Sequence, residues 1–287
     1  MPHDYKAERT EESFLRELKI EMAGGKQLRQ NASMSREKKI KRKEILERKK
    51  AVDDLIKLAY DETESDPLAA FFPFRQYCRN GLSISLESGS GDKLSMPVKQ
   101  YIQRLLKLNM EKPYGDEWPA EEKIKRMEMA AQEARYLFAI EHQAVCATKV
   151  SGEHGKEMDD LSVVESKGPI VGFVHYRFTV EEDVPVLYVY ELQLEPRVQG
   201  KGLGKFLMQL LELIAHKKHM YAVVLTVQRE NLAAMKFYLN KLRYNVSSIS
   251  PSKFGIEKNY EILCKSFHIE AKEKLEASLA HISFAYE

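Results

Sequence analysis

Cysteine is scarce in this chain. Three residues, Cys78, Cys146 and Cys264, are spread over 287 positions, with no Cys-x-x-Cys and no neighbouring His/Cys cluster. A disulfide framework and a zinc site of ordinary spacing are thereby excluded, and each thiol is expected to be a small packing residue. Such usage fits a reducing compartment, so nucleus and cytoplasm are the expected locations. Long apolar runs are missing as well. None approaches the roughly 20 residues of a membrane-spanning helix. Met1-Pro2-His3-Asp4 has neither the apolar core of a secretion signal nor the Met-Gly start of a myristoylation site. No membrane partner and no metal are expected. There is no excess of one charge either, since the net charge is +2. Its distribution is uneven: residues 26–50 hold eleven Lys and Arg against three Glu. That stretch has few aromatics, so stacking on nucleic acid is not indicated. It reads as a solvated basic helix, with a role in nuclear import or in association with chromatin or the ribosome.

Three segments are expected. Residues 1–66 begin polar, broken by Gly24-Gly25, and continue as a helix from Ser33 to about Ala59. Its apolar periodicity improves after Ile45, so the second half is expected to dock. Residues 67–265 form the folded domain, and 266–287 read as a helical tail with Ile269, Leu275, Leu279 and Ile282 apolar. Inside the domain, Leu82–Leu86 alternates as a half-buried strand after a turn at Arg79-Asn80-Gly81. Helices are predicted from Pro97 to Met110 and from Trp118 to about Ala134. Strands are predicted at 135–140 running on to 144–150, at 170–178 and at 186–194, with a flexible polar loop at 151–167. A turn and helix follow, then a strand at 222–227, a helix after Asn231, and strands at 244–249 and 259–265. This order predicts an α/β chain of the α+β type, a mostly antiparallel sheet with helices packed on it.

The most informative stretch lies between the strand ending at Glu195 and the helix beginning near Phe206: Arg197-Val198-Gln199-Gly200-Lys201-Gly202-Leu203-Gly204-Lys205. Strand, Gly-rich turn and helix aim backbone N–H groups at a phosphate. A nucleotide P-loop needs Ser or Thr after its Lys, and Phe206 follows Lys205. A dinucleotide fingerprint needs a third Gly where Lys205 stands. The spacing that fits is Gln-x-x-Gly-x-Gly, Gln199, Gly202 and Gly204, which resembles the acetyl-CoA pyrophosphate loop of the GNAT superfamily of N-acetyltransferases. Asn231…Ala234…Tyr238, followed by Arg243-Tyr244 where Gly-Phe is usual, resembles that superfamily's second motif. The superfamily resemblance implies a GNAT fold whose twisted sheet has two splayed central strands, here Val186–Leu194 and Ala222–Val227. It implies acetyl-CoA contacts at Leu192, Gln193, Leu194, Gln199, Gly200, Lys201, Gly202, Leu203, Gly204 and Lys205. Asn231 is either a helix cap alone or a cap that also touches the pantetheine arm.

Further motifs resemble the N-alpha-acetyltransferase D family over about residues 36–265. They are the basic helix, Arg79-Asn80-Gly81-Leu82, Glu117-Trp118, His175-Tyr176-Arg177-Phe178, Val186 to Glu195, Lys201 to Leu207, and Ser250-Pro251-Ser252. The resemblance implies acetylation of the free α-amine of histones four and two A, whose tails begin Ser-Gly-Arg-Gly, by direct attack in a ternary complex. It places substrate contacts at Tyr188, Tyr190, Thr179 and Glu181, and at Trp118, which is either a wall of the site or a core aromatic. Thr179 stands where the family has an acid, so Glu181, Glu182 or Asp183 is expected to substitute.

An α-amine has an ordinary pKa of about 8, so a weak base or a water relay suffices. Glu191 is the expected base, with Tyr188 and Tyr190 positioning the amine. By the period of two, Glu191 faces away from both tyrosines, so all three share a site only if the strand bulges near Glu191. Tyr238 is either the general acid for the thiolate or a packing residue. Backbone N–H groups near Leu192 to Leu194 are expected to polarise the carbonyl. Two other readings stay open: a lysine or small-amine acetyltransferase, and a chromatin-binding module without activity.

Overall fold

The computed structural model describes residues 16, 34, 36–61, 66–142 and 168–276. The expected loop at 151–167, the strand at 144–150, most of the polar N-terminal stretch, Cys146 and the tail beyond 276 lie outside the described residues. Residues 36–59 are helical (α1), and the division between two compact units, Met1–Ala51 and Val52–Glu287, falls inside this helix. In the first unit, residues 36–51 are exposed throughout. In the second, Val52 and Ala59 are buried and Leu55 and Ile56 half-buried, the docking stripe that the sequence pattern implies.

The second unit is built on an eight-stranded sheet of order β1-β2-β3-β4-β5-β6-β8-β7. The strands are β1 Gln76–Arg79, β2 Leu82–Ser90, β3 Arg135–Glu141, β4 Ile170–Glu181, β5 Val184–Leu194, β6 Ala222–Gln228, β7 Asn245–Val246 and β8 Tyr260–Ser266. All neighbours pair antiparallel except β5 and β6, which are parallel. Their connection is α4, Leu203–Lys217, as a parallel pair requires a crossover. β1 was not anticipated: only Tyr77 of its four residues is buried, so it shows no alternation. Asn80 and Gly81, at φ 53° and 73°, join it to β2 as a two-residue hairpin turn. The strand expected at 244–249 shrinks to Asn245–Val246, because Ser247 and Ser248 turn their N–H groups to Ile262 and Leu275.

α4 is apolar at i, i+4 and i+7 spacings, and its buried residues from Leu203 to Ala215 pack on one face of the sheet with Val189, Leu225 and Leu263. On the opposite face, α2 (Met96–Tyr114) and α3 (Trp118–Met129) cover Tyr136, Phe138 and Phe173. Farther along that face, the C-terminal turns Ile269–Glu276 bury Ala271 and Leu275 against Val186, Val224 and Cys264. Residues 266–276 are thus a packed element. Among the described residues no helix is long and apolar enough to cross a membrane.

Gly172 on β4 lies opposite Leu194, the last residue of β5. A Cβ there would meet Leu194 Cδ2 at 2.5 Å and the Gln193 carbonyl oxygen at 2.8 Å. Gly172→Ala is therefore expected to destabilise the fold by about 1–3 kcal/mol through overpacking, measured as a lowered Tm in thermal unfolding; an unchanged Tm would show that the β4–β5 contact yields freely.

Candidate active site

The site begins where two central strands separate. β5 and β6 pair from Val186–Ala222 to Val189–Leu225 and no further. Beyond that point β5 stays paired to β4 as far as Leu194, and β6 stays paired to β8 as far as Gln228. Each strand is held from outside and released on the inside. This leaves the inner edge of β5 past Val189 available to a chain-like ligand.

The register of β4 and β5 also shifts here. His175 pairs with Glu191 but Tyr176 pairs with Val189, so Tyr190 is an extra residue, a bulge. The shift brings Glu191 and Gln193 onto the face that already carries Tyr188, and Tyr190 joins them there. A stack holds the bulge: Tyr136 to His175 at 5.0 Å between ring centres, His175 to Tyr190 at 4.8 Å, and the Arg177 guanidinium 4.4 Å over Tyr190. Tyr188 Oη lies 2.6 Å from Thr226 Oγ1, tying β5 to β6 at the mouth of the parting.

A cleft of about 250 Å³ occupies the parting, walled by Tyr114, Lys125, Tyr188, Glu191, Gln228 and Tyr238 among others. A larger cavity of about 490 Å³ lies against Tyr60, Arg135 and Phe138 and touches neither the bulge nor the Gly-rich loop. At the cleft, Lys125 Nζ of α3 is 2.5 Å from Glu191 Oε1, both side chains nearly buried. Gln193 Nε2 donates to Glu191 Oε2 at 2.7 Å, and Asn109 Nδ2 of α2 donates to Gln193 Oε1 at 3.0 Å. Burial works against the charge on Lys125, yet the attraction of Glu191 and its hydrogen bond outweigh this, and the amine's pKa is raised. Burial raises the pKa of Glu128 on the same helix, against the pull of Lys125. Burial also pushes Tyr188 up to about 12, against its hydrogen bond to Thr226, and it raises Tyr190 and Tyr238. The phenols therefore stay protonated near neutrality and can donate but not act as bases.

The Gly-rich loop lies at the end of β5. Gly200 and Gly202 have φ of 71° and 89°, the left-handed region that glycine enters freely. The Lys201 carbonyl accepts from Tyr77 Oη at 2.6 Å and from Asn80 Nδ2 at 2.9 Å, so the β1–β2 hairpin braces the loop. Helix geometry leaves the first N–H groups of α4, on Leu203, Gly204 and Lys205, without intrahelical acceptors. With the helix dipole they fit a pyrophosphate, and the parting beside them fits an extended pantetheine arm.

The expected cofactor residues thus lie together, from Leu192 along the strand end and loop to Lys205. Gln199 is the exception in kind: its side chain donates to the Leu194 carbonyl at 2.9 Å, closing the loop onto the strand. Asn231 caps the helix Leu232–Lys236 (α5) by accepting from the Ala234 N–H at 3.1 Å, and it lines the cleft as well. Tyr238 sits in the π-helical turn Phe237–Lys241, buried at the cleft wall. Arg243 has φ 62°, taking the glycine-like conformation where the resembled motif carries Gly. Trp118 is not a wall of the site: it is 3% exposed and packs with Ile102, Leu105 and Met129 between α2 and α3. Thr179 and Glu181 lie toward the β4–β5 hairpin, opposite Val186 and Val184, and neither lines the cleft. Glu182 and Asp183 form the tip of that hairpin at φ 49° and 57°. Lys125, Glu128 and Gln228 were missed, because α3 and β6 read from sequence only as a charged helix and a core strand. Among the described residues no group of His, Cys, Asp and Glu is arranged to hold a metal ion.

Sheet order, the parting of β5 and β6, and the loop on α4 define a GNAT fold. The profile described as the Acetyltransferase (GNAT) family matches residues 102–242, a little under half of the chain. Similar solved structures include the PaiA N-acetyltransferase of Thermoplasma acidophilum in complex with coenzyme A, at 18% identity and TM-score 0.41. Another is Naa50 of Arabidopsis thaliana with a bisubstrate analogue, at 19% identity and TM-score 0.38. A third is the NatC complex bound to Gag peptide and CoA, at 14% identity and TM-score 0.41. Each alignment covers 64% of this chain and 99% of the other. The fold assignment rests on the sheet and the family match.

Gly202→Ala places a Cβ in the left-handed region and 2.7 Å from Tyr77 Oη, so the brace on Lys201 must shift. A strain of about 1–2 kcal/mol is expected to weaken CoA binding roughly tenfold, read by titration calorimetry; wild-type affinity would show that the loop does not hold the phosphates. Burial pushes His175 down to about 3, so the ring is neutral in the fold and binds a proton when unfolded below about 6.5. Its contribution to stability is complete above that pH and is lost as pH falls towards 3. His175→Phe is expected to lower Tm at pH 7 yet reduce the further fall in Tm between pH 7 and 4.5; an equal fall in both proteins would exclude His175 as a source of acid sensitivity.

Proposed function

We propose that the protein is an N-terminal acetyltransferase that acetylates the free α-amine of histone four and histone two A tails, which begin Ser-Gly-Arg-Gly. The observation that carries this reading is the bulge at Tyr190. It puts two phenols and one carboxylate on a single face beside the parting of β5 and β6. When bound, acetyl-CoA supplies the thioester that the amine attacks. Glu191 directs a water that takes the amine proton, using lone pairs not engaged by Lys125 and Gln193. Tyr188 and Tyr190 orient the amine and the first residues of the tail. Tyr238, kept protonated by burial, is placed to donate to the departing sulfur. N–H groups on the free edge of β5 polarise the carbonyl.

Recognition of the tail arginine falls to α3 in this reading. Glu121 and Glu128 both line the cleft, seven residues apart on one helix face, whereas Thr179 and Glu181 do not. Gln228 Oε1, buried on the opposite wall, has no hydrogen-bond partner and suits a substrate N–H. The exposed basic residues of α1 support association with an anionic assembly, chromatin or the ribosome, and a location in nucleus and cytoplasm.

Peptides varied at their first three residues, incubated with acetyl-CoA and mapped by tandem mass spectrometry, test the assignment. Acetylation of the α-amine is expected, best with Ser-Gly-Arg. Acetyl groups on internal lysines alone would favour a side-chain acetyltransferase, and no turnover above the uncatalysed rate would favour a binding module.

A further inference from the structure

We infer that Lys125 is a positioning residue that holds Glu191 aimed into the parting of β5 and β6; the inference rests on the role of Glu191 proposed above. The two side chains are 12% and 7% exposed and meet at 2.5 Å. An ion pair withdrawn from water to this extent is a poor source of stability, because desolvating both charges offsets their attraction. Its location bears on its use, since it lies on the wall of the cleft at the one place where the central strands part. A glutamate side chain has several staggered rotamers open to it. Here one oxygen is fixed by Lys125 and the other by Gln193, and Gln193 is itself fixed by Asn109. The remaining lone pairs of Glu191 thereby acquire one orientation.

The charged and titratable groups that surround the pair come from several elements. Tyr114 of α2 lies against Lys125, whose Nζ is 5.6 Å from the ring centre. Glu121 and Glu128 share α3 with Lys125 and line the same cleft. Arg177 and His175 approach from β4, Tyr136 from β3 and Tyr238 from the π turn. His175 is neutral and the phenols are protonated near neutrality, so the working charges are Lys125 and Arg177 against Glu121, Glu128 and Glu191. Without Lys125, Arg177 alone faces the three acids, and Glu191 Oε1 loses the charged partner that fixes it.

The test measures kcat and KM separately, using acetyl-CoA and the peptide best acetylated in the screen above. Wild type, Lys125→Met, Lys125→Arg, Glu191→Gln and the double variant Lys125→Met/Glu191→Gln are compared. Lys125→Met is expected to lower kcat/KM about tenfold or more, through kcat rather than KM. Lys125→Arg is expected to restore most of the activity. In the Glu191→Gln background Lys125→Met is expected to add no further loss, the signature of two groups acting as one. A loss carried by KM alone, or losses that multiply in the double variant, would overturn the inference. If Lys125→Met fails to fold by circular dichroism, Lys125→Gln is read by the same criteria. An impaired Glu191→Gln with an unimpaired Lys125→Met overturns only the role of Lys125. A fully active Glu191→Gln, or no turnover with any peptide, overturns that role together with the reading it rests on.

Discussion

Two neighbouring strands separate without unfolding because each keeps a partner on its far side. β5 leans on β4 through Leu194 and β6 on β8 through Gln228, so the backbone groups released at Val189 and Leu225 are the only unpaired edges that the split creates. In an ordinary sheet such edges are a liability. Here they lie inside the fold, flanked by the N-terminus of α4 and the turn after α5, where a ligand with alternating amide groups can pair with them. The Gly-rich loop, the cleft and the bulge all depend on this divergence. Closing it would cover the edge of β5 and draw Tyr188 and Thr226 into a continuous sheet.

The bulge at Tyr190 complements the split. A regular strand would send Glu191 into the α4 side, among Leu187, Val189 and Leu225, where a carboxylate has no donor. One inserted residue turns it to the α3 side, where Lys125 and Gln193 receive it. The aromatic stack from Tyr136 through His175 to Tyr190 fixes the inserted residue, and it requires a neutral imidazole, which burial ensures. Backbone irregularity, ring stacking and charge pairing thus serve the placement of one carboxylate.

Much of this was legible in the residues. The glycines at 200 and 202, Gln199, the amphipathic pattern after Leu203 and the β-branched run of β6 specify a strand–loop–helix–strand unit locally, so reading them needs no tertiary knowledge. The need for a bulge was also legible, since Tyr188 and Glu191 cannot share a face without one. What was not legible depends on distance in the chain. Lys125 reads as one charge on a charged helix until α3 is laid across β5. Tyr77 lies on a strand that the sequence pattern does not announce, and only the fold brings its hydroxyl to the Lys201 carbonyl. Trp118, the single tryptophan, invites a role at the surface, yet the corner where α2 meets α3 is the place where so large a side chain is buried. Arg243 shows the converse: a left-handed residue that sequence alone would assign to glycine.

The chemistry that this arrangement can perform bears on the choice of amine. Near neutrality the phenols of Tyr188, Tyr190 and Tyr238 hold their protons, His175 is held neutral by burial, and Glu191 is engaged by a lysine. Such a site has little capacity to strip a proton from a strong base. A lysine side chain, with a pKa of about 10.4, is neutral in only roughly 0.04% of molecules at pH 7, whereas an α-amine near 8 is neutral in about 10%. For the lysine the site must supply several kcal/mol of deprotonation; for the α-amine, little more than one. The carboxylate held by Lys125 and Gln193, in its proposed role as base, is matched to the lesser demand of the proposed terminal amine.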